Sequence, residues 1–163
     1  MQSAGVIGRY AIGGAVAATF YLEPAATLDL DIFVEFPETI KGSLVSLKPI
    51  YDYLQGRGCP TSGEYIVVAE WPVQFLVPAG PLEVEALKRA TRAEVEGTST
   101  WVMTAEHLVA IALQTGRVKD HNRVLQFIEL KKIDYPMLSD ILQRHGLSLK
   151  WKQFEVRYFH GRH

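Results

Sequence analysis

Tyr10-Ala11-Ile12-Gly13-Gly14-Ala15 and, further along, Leu28-Asp29-Leu30-Asp31-Ile32-Phe33-Val34 are the two stretches whose reading decides the fold. In the second, two aspartates alternate with apolar residues, the pattern of a strand. Side chains two apart on a strand share a face, so Asp29 and Asp31 converge on one spot. Paired carboxylates repel and raise each other's pKa unless a cation lies between them, and oxygen-only ligands of this kind suit Mg²⁺ or Mn²⁺. Gly13 and Gly14 suit a backbone that approaches a phosphate closely, with a helix start behind them. Glycine turn plus acidic strand reads as a site for handling a nucleotide. Without a ligand, the same residues read as a tight turn and ordinary strand-end acids. Against that stands the cost of placing two acids inside an apolar strand.

Working outward, Gly8–Ile12 reads as a short strand leading into the glycine turn. Residues 15–22 read as a short buried helix stopped by Pro24. Leu44, Val45, Leu47, Ile50, Tyr51 and Leu54 are at helical spacing, closed by Gly56-Arg57-Gly58. Residues 65–69 and 73–77 read as two strands joined by a turn at Glu70-Trp71-Pro72. A helix is expected over 81–91. The polar stretch 91–100, with Gly97, is the best boundary, dividing a core over residues 1–97 from a helical part over 98–163. Thr104 suits an N-cap, and helices are expected over 104–114, 119–131, 135–144 and 149–159, with Gly116 and Gly146 as stops.

Bulk properties narrow the class. The chain has 163 residues, which suits one domain or one with a small appendage, and 48% hydrophobic residues can build a core. Cys59 is the single cysteine, so no disulfide framework or zinc quartet forms within the chain, and a cytoplasmic setting is expected. No apolar run approaches the roughly 18 residues of a membrane span, and Arg9 alone makes no basic leader for a signal peptide. Residues 1–97 carry twelve acidic and seven basic side chains, while residues 98–163 carry six and ten. Two lobes of opposite charge suit an anionic substrate between them; equally, they attract each other or are simply solvated.

Other motifs carry less. The glycines do not form Gly-x-Gly-x-x-Gly, since Gly13 and Gly14 are adjacent and Gly5 and Gly8 precede the strand. No Gly-x-Ser-x-Gly, P-loop or Cys-x-x-Cys is present. His107, His121 and His145 lack metal spacing and read as structural, and His160-Gly161-Arg162-His163 reads as a frayed terminus. Trp101, Trp151, Phe154, Tyr158 and Phe159 among Lys150, Lys152 and Arg157 fit either a stacking surface for RNA or an amphipathic helix packed on the body.

The run Tyr10–Ala15 followed by Thr27–Ile32 resembles the signature of the nucleotidyltransferase superfamily, a hydrophobic residue and Gly-Gly before an Asp-x-Asp strand. The likeness is closest to small bacterial AbiEii-type toxin nucleotidyltransferases, whose downstream Lys-Asp pair matches Lys119-Asp120; it spans about residues 8–130. The resemblance implies an α/β (α+β) fold, a nucleotidyltransferase-like twisted mixed sheet with a helical C-terminal part. It also implies transfer of NMP from an NTP to an RNA, protein or small-molecule acceptor, with a toxin–antitoxin pair as one setting and an antitoxin as partner. Gly13 and Gly14 would hold the β- and γ-phosphates, Asp29 and Asp31 would bind Mg²⁺, Lys119 would neutralise the triphosphate and Asp120 would help to position it. The family's third carboxylate falls at Gln74, in Val73-Gln74-Phe75-Leu76-Val77. An amide cannot accept the proton of an attacking hydroxyl, so a nucleotide- or partner-binding module is the alternative.

Overall fold

The computed structural model of the protein describes residues 1–24, 26–38 and 46–160. Its elements run β1 (Tyr10–Ile12), α1 (Gly14–Ala18), β2 (Leu30–Val34), α2 (Lys48–Gln55), β3 (Thr61–Ser62), β4 (Tyr65–Val68), β5 (Trp71–Leu76), α3 (Pro81–Lys88), β6 (Thr91–Val95), β7 (Thr98–Val102), α4 (Ala105–Thr115), α5 (Val118–Glu129), α6 (Tyr135–Arg144) and α7 (Ser148–Glu155). A single π-helical turn, Val156–His160, continues α7. The strands form one seven-stranded sheet in the order β3-β4-β5-β2-β1-β7-β6. It is mixed: β2–β5 and β1–β7 are parallel, the other pairs antiparallel.

The strand alternation sorts side chains to two faces. Ile32 and Val34 of β2, with Val73 and Phe75 of β5, point to a layer made with Ile7, Ile50 and Leu54, the last two one turn apart on α2. Phe33 points the other way, into the larger core beneath the C-terminal helices. Asp31 and Gln74 belong by the same alternation to this helix-bearing face. α4 is the hub of that layer. It is apolar nearly all round, buries Ala105–Ala110, Ala112 and Leu113, and begins with the Thr104 hydroxyl accepting from the His107 N–H at 3.3 Å.

Three expectations are corrected. The turn before β5 is Ala69-Glu70, both at positive φ, while Trp71 and Pro72 already lie in the strand. The polar stretch 91–100 is a hairpin, β6 and β7 joined by Glu96-Gly97, with β7 paired to β1. The sheet therefore continues through the expected boundary at 97, and the helical part begins at Ala105. The exposed edge position of β6 explains its polar composition. Third, β2 begins at Leu30, so Asp29 sits one residue before it. Thr39–Val45, which holds the Leu44 and Val45 of the expected second helix, and Gly161–His163 lie outside the described residues. Among the described residues no helix is long and apolar enough to cross a membrane.

Candidate functional site

β1 delivers the chain into Gly13-Gly14, whose conformation is set by the adjacent acidic strand. The Gly13 N–H donates to the Asp31 backbone carbonyl at 3.0 Å. Gly14 has φ +61°, and a Cβ there would run into the Asp31 carboxylate. Only glycine satisfies both demands, the left-handed backbone and the close approach of the carboxylate. The glycine turn and Asp31 are thus one packed unit.

Asp29, Asp31 and Gln74 line a single cleft of about 610 Å³ together with Gly14. The register explains Gln74: β2 and β5 pair Asp31 with Gln74 directly, so the two side chains stand side by side on one face. One step beyond the antiparallel Ile66–Val73 pair puts Tyr65 alongside Gln74, and Tyr65 also lines the cleft. Its hydroxyl is pushed above the ordinary phenol range, first by Glu64 as hydrogen-bond partner, with the Asp29 charge adding to the effect. Thr27 Oγ1 donates to the Asp29 carbonyl at 3.1 Å and holds the approach to β2.

The opposite wall is α5. Lys119, Asn122, Arg123 and Gln126 recur at helical spacing and all line the cleft, while Asp120, Val124 and Phe127 are turned inward. Arg117, just ahead of the helix, completes a group of three cations facing two carboxylates. Asp31 registers the balance. Burial first, then the Asp29 charge, raises its pKa above the usual carboxylate value, and Arg123, Lys119 and Arg117 pull against that shift.

Asp120 has a different place from Lys119. It is 2% exposed and does not line the larger cleft. Its carboxylate accepts from Arg117 Nε at 2.6 Å, Arg117 Nη2 at 3.2 Å and the Arg117 backbone N–H at 3.3 Å, and Arg123 Nη1 lies 3.9 Å away. It thus holds both arginines toward Asp31 and secures the start of α5. Arg117 and Arg123 are the cationic wall that attention to the Lys-Asp pair passes over; the i, i+3, i+4, i+7 recurrence of polar residues from Lys119 is the signal that marks it.

A second chamber of about 240 Å³ adjoins the cleft and shares Gly14, Asp31, Gln74, Arg117 and Arg123 with it. Glu70, the acid nearest Gln74 in the sequence, lies in the exposed β4–β5 turn and lines neither cavity. The histidines serve packing. His107 is fully buried, with Nε2 3.1 Å from Glu85, and His145 Nε2 is 2.8 Å from the same carboxylate. His121 Nδ1 is 3.1 Å from the Tyr158 hydroxyl. The aromatic C-terminal stretch packs on the body: Phe154 is 3% exposed, stacked on Trp151 at 5.8 Å and 4.6 Å from Tyr158. Of the five aromatics, Trp101 and Phe159 are exposed.

No family model and no curated protein matches the chain. Among solved structures it is similar to the crystal structure of an antigenic nucleotidyltransferase-like protein from Paracoccidioides brasiliensis. The TM-score is 0.54 at 12% identity, covering 91% of this chain and 82% of that one. At that identity the likeness is one of fold: a nucleotidyltransferase-like mixed sheet with helices.

Proposed function

We propose that the protein transfers a nucleoside monophosphate from a nucleoside triphosphate to an acceptor, using a divalent metal held by Asp29 and Asp31. One observation carries this reading: two carboxylates beside a glycine turn face Arg117, Lys119 and Arg123 across a cleft of about 610 Å³. A site with both signs of charge on opposite walls suits a ligand that is itself a metal-bound polyphosphate.

The donor set fits Mg²⁺ or Mn²⁺. Among the described residues no group of three or more His, Cys, Asp or Glu is gathered as a complete metal site. Mg²⁺ is commonly held by one or two carboxylates plus substrate phosphates and water, which is what Asp29 and Asp31 would leave room for. Burial first and the Asp29 charge second raise the Asp31 pKa, and a bound cation would counter both. When bound, the ion would neutralise phosphate charge and polarise the phosphorus under attack.

The chain's own residues then have distinct tasks. Gly13 gives its N–H to the Asp31 carbonyl and lines neither cavity, so of the pair it is Gly14, in the cleft beside Asp31, that phosphate oxygens would approach. Lys119, Arg117 and Arg123 counter the triphosphate charge, and Asp120 positions the two arginines. Asn122 and Gln126, uncharged on the same helix face, offer hydrogen bonds to sugar or base. Gln74 beside Asp31 offers an amide oxygen and takes up no proton. That last feature favours a second reading, a nucleotide-binding module with slow transfer.

The test is equilibrium binding of each α-labelled NTP with Mg²⁺ and with EDTA. Wild-type protein is expected to bind in Mg²⁺ and to lose that binding in EDTA. The doubly substituted Asp29→Asn, Asp31→Asn protein should lose the Mg²⁺-dependent part. Affinity unchanged by both substitutions would reject the site.

A further inference from the structure

We infer that the pocket of about 250 Å³ between α7 and the α4–α5 connection is a binding site for a phosphomonoester. It shares no lining residue with the nucleotide cleft or the chamber beside it, and it stands whether or not that cleft takes a nucleotide.

The pocket carries one sign of charge. Lys150, Gln153 and Arg157 are exposed and recur with the buried Phe154 at i, i+3, i+4 and i+7 along α7 and the π-helical turn, and all line it. No aspartate or glutamate does. Gly116 and His121 close it from the side of α4 and α5. Lys150 Nζ spends one of its donors on the Gln114 carbonyl at 3.0 Å, and Arg157 Cζ lies 5.5 Å from the Tyr158 ring centroid. Among the described residues neither cation has a carboxylate partner. Unpaired cations on one concave surface repel each other and draw in an anion.

His121 adds a donor whose ring is fixed in place. Phe154 and Tyr158 meet it edge-on, with centroids at 5.5 Å and 5.7 Å, and its Nδ1 lies 3.1 Å from the Tyr158 hydroxyl. With that hydroxyl donating to Nδ1, Nε2 carries the proton. Nε2 lies beside Gly116, 4.0 Å from where a Cβ would stand, and has no hydrogen-bond partner among the described residues. The pocket therefore offers the remaining Lys150 donors, the Arg157 fork, the Gln153 amide and His121 Nε2. A terminal phosphate answers that set with a charge of about −1.5 to −2 at pH 7 and three strong acceptor oxygens. A phosphodiester brings a single charge and fewer free oxygens. The volume is that of roughly eight waters, more than a phosphate displaces, so part of the group that bears it enters too.

The probe is ribose 5-phosphate, titrated without divalent metal into the isotope-labelled full chain, with the Gly116 amide and the His121 ring followed by NMR. Both signals should shift saturably in wild-type protein. Arg157→Gln removes a charge and Gln153→Glu adds a carboxylate, each at an exposed position, and either should weaken binding about tenfold or more. Gln153→Glu carries the test if Arg157→Gln does not fold, and its affinity for a Mg²⁺–nucleotide should equal that of wild type. Lys119→Ala, in the cleft, should bind ribose 5-phosphate as wild type does. Inorganic phosphate should bind more weakly than the ester, and dimethyl phosphate more weakly again. Binding lost in Lys119→Ala and kept in Gln153→Glu would put the phosphate in the nucleotide cleft and overturn the assignment. So would the absence of a saturable shift at Gly116 and His121. Dimethyl phosphate binding as tightly as the ester would overturn it in favour of a nucleic-acid backbone, and inorganic phosphate doing so would overturn it in favour of the free ion.

Discussion

Asp31 and Gln74 are direct partners in a parallel pair, and a substitution there changes local charge and proposed chemistry together. Gln74→Asp places a third carboxylate beside two that already raise each other's energy, and like charges directly opposite on a sheet cost a few tenths to about 1 kcal/mol. The variant should therefore melt lower than wild type in EDTA and recover in Mg²⁺. A general base contributes about 10²–10⁴-fold, so nucleotide transfer should rise measurably. A variant that is no less stable in EDTA would mean that the three groups do not sense one another. Lys119 is exposed, and among the described residues it forms no ion pair, which frees it for a ligand. Lys119→Ala should weaken triphosphate binding about tenfold, the worth of one charge-assisted contact, and leave nucleoside binding almost unchanged; equal losses for the two ligands would remove Lys119 from phosphate recognition. The residues at this spot differ in how far the chain alone announces them. Asp29 and Asp31 are legible from their alternation with apolar residues, although β2 begins only at Leu30 and Asp29 reaches the cleft from just before it, and Gly14 because a glycine pair ahead of such a strand has few other uses. Tyr65 is not legible, since it reaches the cleft through the register of β4 on β5, and Arg123 is marked only as one of a polar helix stripe whose place over the sheet the chain alone does not give.

At the scale of elements, the β4–β5 connection shows how local rules are overridden. Ala69-Glu70 is a two-residue hairpin loop with both residues at positive φ, where Asn-Gly is the favoured pair. Tyr65–Leu76 still forms its hairpin because Ile66, Val73 and Phe75 are buried in the layer under α2, which sets the register regardless of the turn. The turn as it stands carries backbone strain that better turn residues would relieve. Replacing Ala69-Glu70 by Asn-Gly should raise stability by about 1 kcal/mol, a rise in Tm of about 2–4 °C for a chain of this size, checked by thermal unfolding. A fall in Tm would show that Glu70 is held by something other than the turn. The same register logic explains why Thr91–Thr100 reads as a linker. At a sheet edge, β6 has little apolar surface to bury, so the alternation that identifies β2 is missing there, and its pairing with β7 rests on backbone hydrogen bonds. The helices from Thr104 onward are far more legible. α5 and α6 each bury one stripe at helical spacing, and the Thr104 and Asp134 caps sit one residue before α4 and α6.

Over the whole molecule, the C-terminal helices are tied to α3 through one carboxylate. Glu85 receives Arg144 from the end of α6, with Nη2 at 2.9 Å, and lies within hydrogen-bond distance of His145 and of the fully buried His107 on α4. Three elements spread over about 60 residues of chain meet there, and removing the acid leaves two arginine contacts and two imidazoles without their acceptor. The donors also decide how His107 is protonated. With Nε2–H given to Glu85, Nδ1 is free to accept from the Thr104 hydroxyl at 2.7 Å, so the neutral ring satisfies both neighbours. Burial, the larger effect, lowers the His107 pKa below 6.5, although Glu85 pulls the other way. The Arg144 hydrogen bonds, supported by His145 and His107, hold Glu85 well below the usual carboxylate range. The signs then agree. A histidine whose folded pKa is depressed costs stability as the pH falls below about 6.5, because the unfolded chain takes up a proton that the folded one refuses. A glutamate whose folded pKa is depressed contributes stability that is present above about 4.5 and is lost as the pH falls below it. The protein should therefore lose stability in two stages on acidification, the first setting in below about pH 6.5 and the second below about 4.5. His107→Gln should flatten the first stage and Glu85→Gln the second, with Glu85→Gln also costing about 2–3 kcal/mol near neutral pH through its weakened bonds to Arg144. Denaturant unfolding of the three proteins at pH 7.5, 5.5 and 4 checks this. An acid loss that persists unchanged in His107→Gln would place the first stage elsewhere, and Glu85→Gln as stable as wild type at neutral pH would mean that the junction of α3, α4 and α6 is held by its apolar packing alone.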